Sequence, residues 1–311
     1  RTEKVPGAFF EYSFSPNEKF SVISGLRADY NSLYGFFATP RLHVRYEPVK
    51  GTTLRFSAGR GQRTANIFAE NTSLFVSSRQ MNILNNEKGK AYGLNAEVAW
   101  NKGISMDQKF KIFHHDAMLS FDFFRNDFKN QVVVDLENPL LVNFYNLKGK
   151  SYSNSFQSEL TISPMNKMEL KLAYRYFDVK TTYDGKLKER PFIANSRAFA
   201  NLAYSLKNWK LDYTVNFNGK KRIPNTNTNP APYILKEFSP SFILMNAQVS
   251  KTFGKKHPMD FYLGAENLTN YFQKDVIINA ASPFGNHFDA SMVWGPVTGS
   301  MFYAGWRFKI K

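Results

Sequence analysis

The chain has 311 residues, 43% hydrophobic and 16% aromatic, with no cysteine and a formal charge of +16 from 41 Lys and Arg against 25 Asp and Glu. The lack of cysteine excludes a disulfide scaffold and a cysteine-ligated zinc site. A mean hydropathy of −0.41, with no apolar run near the roughly 18 residues a membrane helix needs, excludes a helical membrane protein. It leaves a membrane β-barrel open, because strands that alternate apolar and polar residues dilute the hydropathy signal. The basic residues sit singly in alternating segments and connections. That scatter points to a polar lumen and lipid headgroups rather than to nucleic acid. The chain opens at Arg1 with no methionine and no signal-peptide pattern, as a cleaved terminus or a piece of a longer chain would.

Taken in order, period-two alternation predicts thirteen strands, near 7–15, 18–30, 36–47, 52–61, 88–101, 109–127, 147–162, 168–182, 195–206, 209–220, 241–253, 258–268 and 299–310. In 209–218, Trp209, Leu211, Tyr213, Val215 and Phe217 face one way, and Lys210, Asp212, Thr214, Asn216 and Asn218 the other. Residues 41–46, 168–177 and 302–310 repeat the pattern. Most of these segments reach the length at which a tilted strand crosses a bilayer.

Short and long connections alternate along the chain. Turn residues mark the short set: Ser15-Pro16-Asn17, Glu47 to Gly51, 102–108, Ser163 to Asn166, Lys207-Asn208 and Gly254 to Lys256. The long set is 31–35 (barely long), 62–87, 128–146, 183–194, 221–240 and 269–298. A transmembrane antiparallel up-and-down β-barrel, with tight turns on one side and long loops on the other, produces this asymmetry. Phe14, Phe20, Tyr46, Trp100, Trp209 and Phe253 are read at the short-turn ends, and Tyr30, Tyr176 and Phe217 at the long-loop ends, as two aromatic girdles would be. Strands in lipid must pair on both edges, and bacterial barrels close on an even number, so thirteen strands imply partner strands before Arg1.

No acid–base–nucleophile set, phosphate loop or zinc motif appears, so no catalytic residue, resident metal or cofactor is expected and an enzyme is the least favoured class. His43, His114, His115, His257 and His287 are scattered, and His114-His115 would point to opposite faces of one strand. His287 and Asp289 share a face in a loop and could touch a metal-bearing ligand, although a solvated loop pair is the plainer reading. Arg27, Asp29, Arg41, Arg45, Arg55, Glu97, Asp122, Glu159, Lys171, Arg175, Asp212, Glu266 and Arg307 are placed on the inner, polar face. Of these, Arg41, Arg45, Arg55, Glu97, Arg175 and Glu266 are candidates to hold an internal plug by ion pairs, against the plainer reading of a hydrated wall. The candidate ligand-binding residues are Arg63, Asn66, Glu70, Asn71 and Arg79 in one long loop, and Gln273, His287, Phe288, Asp289 and Trp294 in another.

Several segments resemble the TonB-dependent outer-membrane receptor family in the form common among Bacteroidota. Residues 52–71 resemble its strand-then-loop signature, here Arg55, Gly59, Gly61, Arg63 and Glu70. Residues 127–135 (DFKNQVVVD) are similar to its mid-barrel loop motif, and Glu266 to Asn270 to its Glu-Asn-Leu-Thr-Asn strand end. Residues 288–310 resemble its last outer loop and closing strand, with Gly299-Ser300 where Gly-Arg is expected and Lys309-Ile310-Lys311 in place of a terminal aromatic.

The resemblance implies the last thirteen of 22 strands around a plug, the plug and first strands lying upstream. It implies active uptake at the cell outer membrane of a scarce metal chelate or other nutrient, a small molecule, peptide or glycan held by extracellular loops. The implied partners are the TonB complex, reached through the N-terminal part, the plug and N-terminal barrel strands, and outer-membrane lipid and lipopolysaccharide. The competing readings are a passive porin-like channel and a structural or surface-binding barrel component of an outer-membrane complex.

Overall fold

In a computed structural model, residues 2–112, 114–254 and 258–308 are described. They form β1 (Gly7–Asn17), β2 (Phe20–Asn31), β3 (Gly35–Tyr46), β4 (Thr52–Arg63), β5 (Gln80–Ile83), β6 (Glu97–Ile112), β7 (His115–Asn130), β8 (Val132–Asp135) and β9 (Leu141–Asn146). There follow β10 (Ser151–Ile162), β11 (Met168–Tyr183), β12 (Lys186–Glu189), β13 (Ser196–Leu206), β14 (Trp209–Asn218), β15 (Phe242–Phe253), β16 (Met259–Glu266) and β17 (Met301–Phe308). Among the described residues only short 3-10 turns interrupt this pattern, and no helix is long and apolar enough to cross a membrane.

One large sheet of 14 strands forms a wall, ordered β1-β2-β3-β4-β6-β7-β10-β11-β13-β14-β15-β16-β17, with β12 paired to the tip of β11. Each main strand pairs antiparallel with the next wall strand in the chain, as an up-and-down meander requires. Among the described residues the sheet does not close on itself: β1 and β17 are its two rims. A second sheet of 3 strands, β5-β9-β8, lies within the long connections.

Register confirms the two faces. Trp209, Leu211, Tyr213, Val215 and Phe217 stand opposite Lys251, Val249, Ala247, Met245 and Ile243. Leu263 and Ala265 continue the apolar rows, and Ala304 and Phe302 end them. Large apolar groups lie open on this face, Phe36 at 70%, Phe302 at 77% and Trp306 at 79% exposure. In water such a surface would be untenable, whereas against lipid it is the favourable one.

Three expectations are corrected. Residues 102–108 are not a turn: β6 runs to Ile112 and pairs with β7 from Ile112↔His115 upward. Gly103, which suggested a turn, sits inside the strand because a Cβ there would lie 2.2 Å from the Phe124 ring. The reversal includes His114, whose φ of 69° suits a tight turn; Phe113 lies outside the described residues. His114 and His115 are therefore a turn residue and a strand start, not neighbours on one strand. Trp100 consequently belongs to the long-loop end of β6, not the short-turn end. Finally, 88–96 is not strand: Ala91–Gly93 is a 3-10 turn, and Ala91 and Leu94 are buried. His257 and residues 309–311 lie outside the described residues.

Apolar burial is concentrated away from the wall. Ala65, Ile67, Leu74, Leu94, Val132, Leu136, Val142 and Phe144 form one cluster within the long connections and their small sheet. Ile223, Ile278 and Met292 form a second, and Phe192 packs against both. The long connections are thus a folded cap over one end of the wall.

Candidate functional site

Several charges on the polar face of the wall are paired within it. Arg41 meets Glu11 at 2.5 Å across β1–β3, and Arg55 meets Asp107 at 2.5 Å across β4–β6. Arg27 pairs with Asp29 at 2.8 Å, Arg45 with Glu47 at 2.5 Å, and Lys171 with Glu159 at 3.5 Å. Arg175 donates to Gln157 Oε1 at 2.7 and 2.9 Å. Glu266 stands on the same face as Asp260, opposite Met301. Arg55–Asp107, Lys171–Glu159 and Arg175–Gln157 join adjacent strands, where antiparallel register brings same-face side chains within reach. Arg27–Asp29 and Arg45–Glu47 are two residues apart along the chain, and Arg41 reaches Glu11 over Gly25 of the intervening β2. The wall positions singled out in the sequence therefore share one surface.

Where β4 leaves the wall, the Arg63 guanidinium bridges two carboxylates, Glu97 on β6 at 2.6 Å and Glu70 in the loop at 2.9 Å. Glu70 also accepts the Asn66 backbone N–H at 3.0 Å, and Tyr92 donates to the Asn66 side chain at 2.7 Å. Burial pushes the Glu70 carboxyl up, but the Asn66 N–H and Arg63 outweigh it and hold the group below its ordinary value. Glu97 closes the clasp by accepting the Val132 N–H at 3.0 Å. Arg63, Asn66, Glu70 and Glu97 are thus brought together, with the Arg63 side chain 58% exposed at the cap base.

Arg79 and Asp289 also meet, but inside the cap. Their side chains are 1% and 5% exposed and 2.7 Å apart. Arg79 Nη1 donates to the carbonyls of Leu136 and Asn138, and Asp289 accepts both N–H and hydroxyl of Ser291. Ser78 N–H donates to the Phe288 carbonyl at 2.8 Å. Together these contacts pin the loop after β16 to the loop after β4. His287 Nδ1 lies 3.2 Å from Asn229 Oδ1, and the Trp294 ring packs against Ile223, Ile278 and Met292. Half-buried Lys221 donates to the Trp294 carbonyl, and burial, reinforced by Arg197, lowers its pKa.

The sequence reading missed a second knot. Glu137 accepts from Arg222 at 2.7 Å and from Lys188 at 2.5 Å, tying three connections. These residues line a cavity of about 490 Å³ with Asn225, Thr226 and Asn227. A neighbouring cavity of about 400 Å³ lies beside Asp135, Asn138 and Tyr145. Burial, then the hydrogen bond to Asp135 at 2.8 Å, raises the Tyr145 phenol and keeps it protonated. The signal available in sequence was VVVD, a β-branched run, and LVNFYN, both short enough to pass as loop. Among the described residues no group of three or more metal-ligating side chains converges.

A family model described as TonB dependent receptor-like, beta-barrel, matches residues 1–268. A comparison with curated proteins finds no match. Among solved structures, the siderophore receptor PirA from Acinetobacter baumannii superposes with a TM-score of 0.70 at 14% identity, covering 98% of this chain and 45% of that one. The ferric enterobactin receptor PfeA gives 0.67 at 15% identity with the same coverages. The siderophore receptor PiuA from Acinetobacter baumannii gives 0.64 at 16%, covering 99% and 43%. At these identities the likeness concerns the fold, and the chain spans under half the length of each.

Proposed function

The chain belongs to the TonB-dependent receptor-like β-barrel family, and we propose that it is the C-terminal part of the barrel of an outer-membrane receptor that takes up a scarce ligand by TonB-driven transport. The observation that carries this reading is the pairing of an open, polar-faced wall with a folded cap confined to its long-loop end. Strands upstream would pair with β1 and β17, since an unpaired rim in lipid leaves amides unsatisfied. A plug would pack against the face carrying Arg41, Arg45, Arg55, Glu97, Arg175 and Glu266. The ligand, a metal chelate or another nutrient, would meet the cap from outside or from the lumen mouth. Arg63, Asn66, Glu70, His287, Phe288 and Trp294 are the groups we assign to that surface. Arg79 and Asp289 serve it indirectly, by fixing the loops. The solved neighbours are siderophore receptors by title, which favours a ferric chelate within this reading, and the motif set favours the Bacteroidota form.

The test uses the complete protein in its native membrane. Uptake of the ligand that co-purifies with it, identified by native mass spectrometry, should stop when TonB is deleted, while binding persists. TonB-independent uptake, together with steady conductance of the purified protein in a planar bilayer, would replace this reading with the passive channel.

A further inference from the structure

Two arginines on the polar face of the wall stand directly across from each other. Arg175 on β11 and Arg197 on β13 are register partners, which sets their Cβ atoms about 5 Å apart on one face, where like charges repel. Arg45 and Arg55, across β3 and β4, are a second couple of this kind. They show the usual remedy, since each guanidinium has a carboxylate of its own, Glu47 and Asp107.

Arg175 and Arg197 have no such remedy among the described residues. Arg175 directs two N–H groups at Gln157 Oε1 and lays its guanidinium 5.1 Å from the Phe177 ring centroid. Arg197 has neither an ion pair nor a side-chain hydrogen bond among the described residues. Of the acids on the adjoining strands, Glu159 is held by Lys171 at 3.5 Å, and Asp122 stands on the far side of Gln157. The excess charge is felt in the cap. Lys221, bridged to Ala194, has its amine pushed below the ordinary value by burial and then by the charge of Arg197.

The couple borders a depression of about 420 Å³, lined further by the amides of Asn216 and Asn218 and by the Phe199 ring. Register puts all three on the same face, with Asn218 opposite Arg197 and Asn216 opposite Phe199. Arg197 is nine residues from Leu206 at the short-turn end of β13. At about 3.3 Å per residue and a tilt near 40°, that is roughly 23 Å above the short turns. The couple therefore sits at the lumen mouth, beneath the cap, where a solute coming from outside passes first.

We propose that Arg175 and Arg197 are a specificity site for an oxyanion, a carboxylate or phosphate group carried by the ligand, gripped as it leaves the cap for the lumen. An oxyanion removes the repulsion that the fold leaves in place, and two planar guanidiniums offer paired N–H groups to its oxygens. A neutral ligand leaves both charges unrelieved. Asn216, Asn218 and Phe199 line the space beside the anion for the uncharged parts of the same molecule. That the anion belongs to the cargo rests on the uptake reading above; that the pair binds an oxyanion does not.

The experiment uses the purified full-length receptor in detergent at low salt. Inorganic phosphate and citrate are the probes, and isothermal titration calorimetry reads binding. Arg175→Gln and Arg197→Gln should each weaken both anions about tenfold, as the loss of a charge-assisted partner does. Lys210→Gln, an equal charge change on the same face at the short-turn end of β14, should leave binding unchanged. Without anion, Arg197→Gln should raise the thermal unfolding midpoint, because it removes a like-charge contact, and phosphate should then raise it less than in the native receptor. Heat-modifiable gel migration reports that each variant is folded. No anion binding, or binding that the two variants leave intact, overturns the proposal. So does a lower anion-free midpoint for Arg197→Gln together with new conductance in a planar bilayer, which would give the pair to a carboxylate of the plug. TonB-independent uptake would strike the transport reading alone and leave these binding results standing.

Discussion

In β14, Trp209, Leu211 and Tyr213 are all 40% exposed or more, while in the cap Val142 and Phe144 on β9 are fully buried. Both strands alternate, yet one alternation sorts side chains between lipid and lumen and the other between a small protein core and polar neighbours. The wall needs no interior, because the bilayer takes the place of one. The cap meets water and must therefore bury its own apolar groups, as any soluble fold does. Substitutions of the same chemical kind should consequently behave differently in the two regions.

The largest contrast is expected inside the cap. Arg79→Met leaves Asp289 charged, buried and unpaired, which costs about 3–5 kcal/mol. Hydrogen exchange in 76–82 and 286–292 should rise sharply while the wall keeps its folded gel migration. Unchanged exchange in both segments would mean that the loops are not held by this pair.

Truncation draws the line between regions more directly. Phe144→Ala should cost about 3–5 kcal/mol, because a cavity opens in a packed cluster. Leu211→Ala should cost under about 1 kcal/mol, since lipid tails close over the missing atoms. Equilibrium unfolding from lipid vesicles measures both. Equal losses would place Leu211 against protein and break the comparison.

Within the wall, face matters more than position. Tyr213→Arg puts a charge on the lipid side near mid-band and should cost about 2–4 kcal/mol, whereas Thr214→Arg on the polar face should be close to neutral. The same unfolding measurement applies, and a reversed order would invert the two faces.

The smallest effect concerns the exposed clasp. Glu70 has its pKa lowered in the folded chain, so its contribution is fully present above the ordinary carboxylate value and is lost as pH falls through the folded one. At 37% exposure, screening limits that contribution to about 0.2–1 kcal/mol. Amide exchange at 66–71 should accelerate in that acid window for the native chain and not for Glu70→Gln.

The wall was legible in sequence because a two-residue period repeated over ten or more residues leaves little room for another fold. Face assignments from Arg27 to Arg307 agree with the observed register for that reason. The turn between β6 and β7 was misplaced because glycine at 103 admits two explanations, a reversal and a neighbour too large for a Cβ, and only the position of Phe124 separates them. The cap was illegible on different grounds. Its contacts join residues far apart in the chain, such as Arg79 with Asp289 and Glu137 with Arg222, and no local period encodes them. Short runs such as VVVD lie below the length at which alternation is distinguishable from loop. The motif running from Arg55 to Glu70 carried more than its pattern suggested, since Arg63 and Glu70 are bonded to each other. The Asn-rich end of β16 likewise proves structural: Asn267 and Asn270 adopt positive φ, and their side chains bind the Tyr271 and Ser300 backbone.

The self-matched charges of the polar wall have a mechanical consequence. Where its arginines already hold carboxylates, as Arg27, Arg41, Arg45 and Arg55 do, such a surface presents little bare potential to anything sliding along it. A body drawn over such a surface exchanges weak contacts for equally weak ones and strands no naked ion behind it. For the plug proposed above, friction along the wall would then be low and nearly even, so a modest pull would start the motion and the same surface would receive it back.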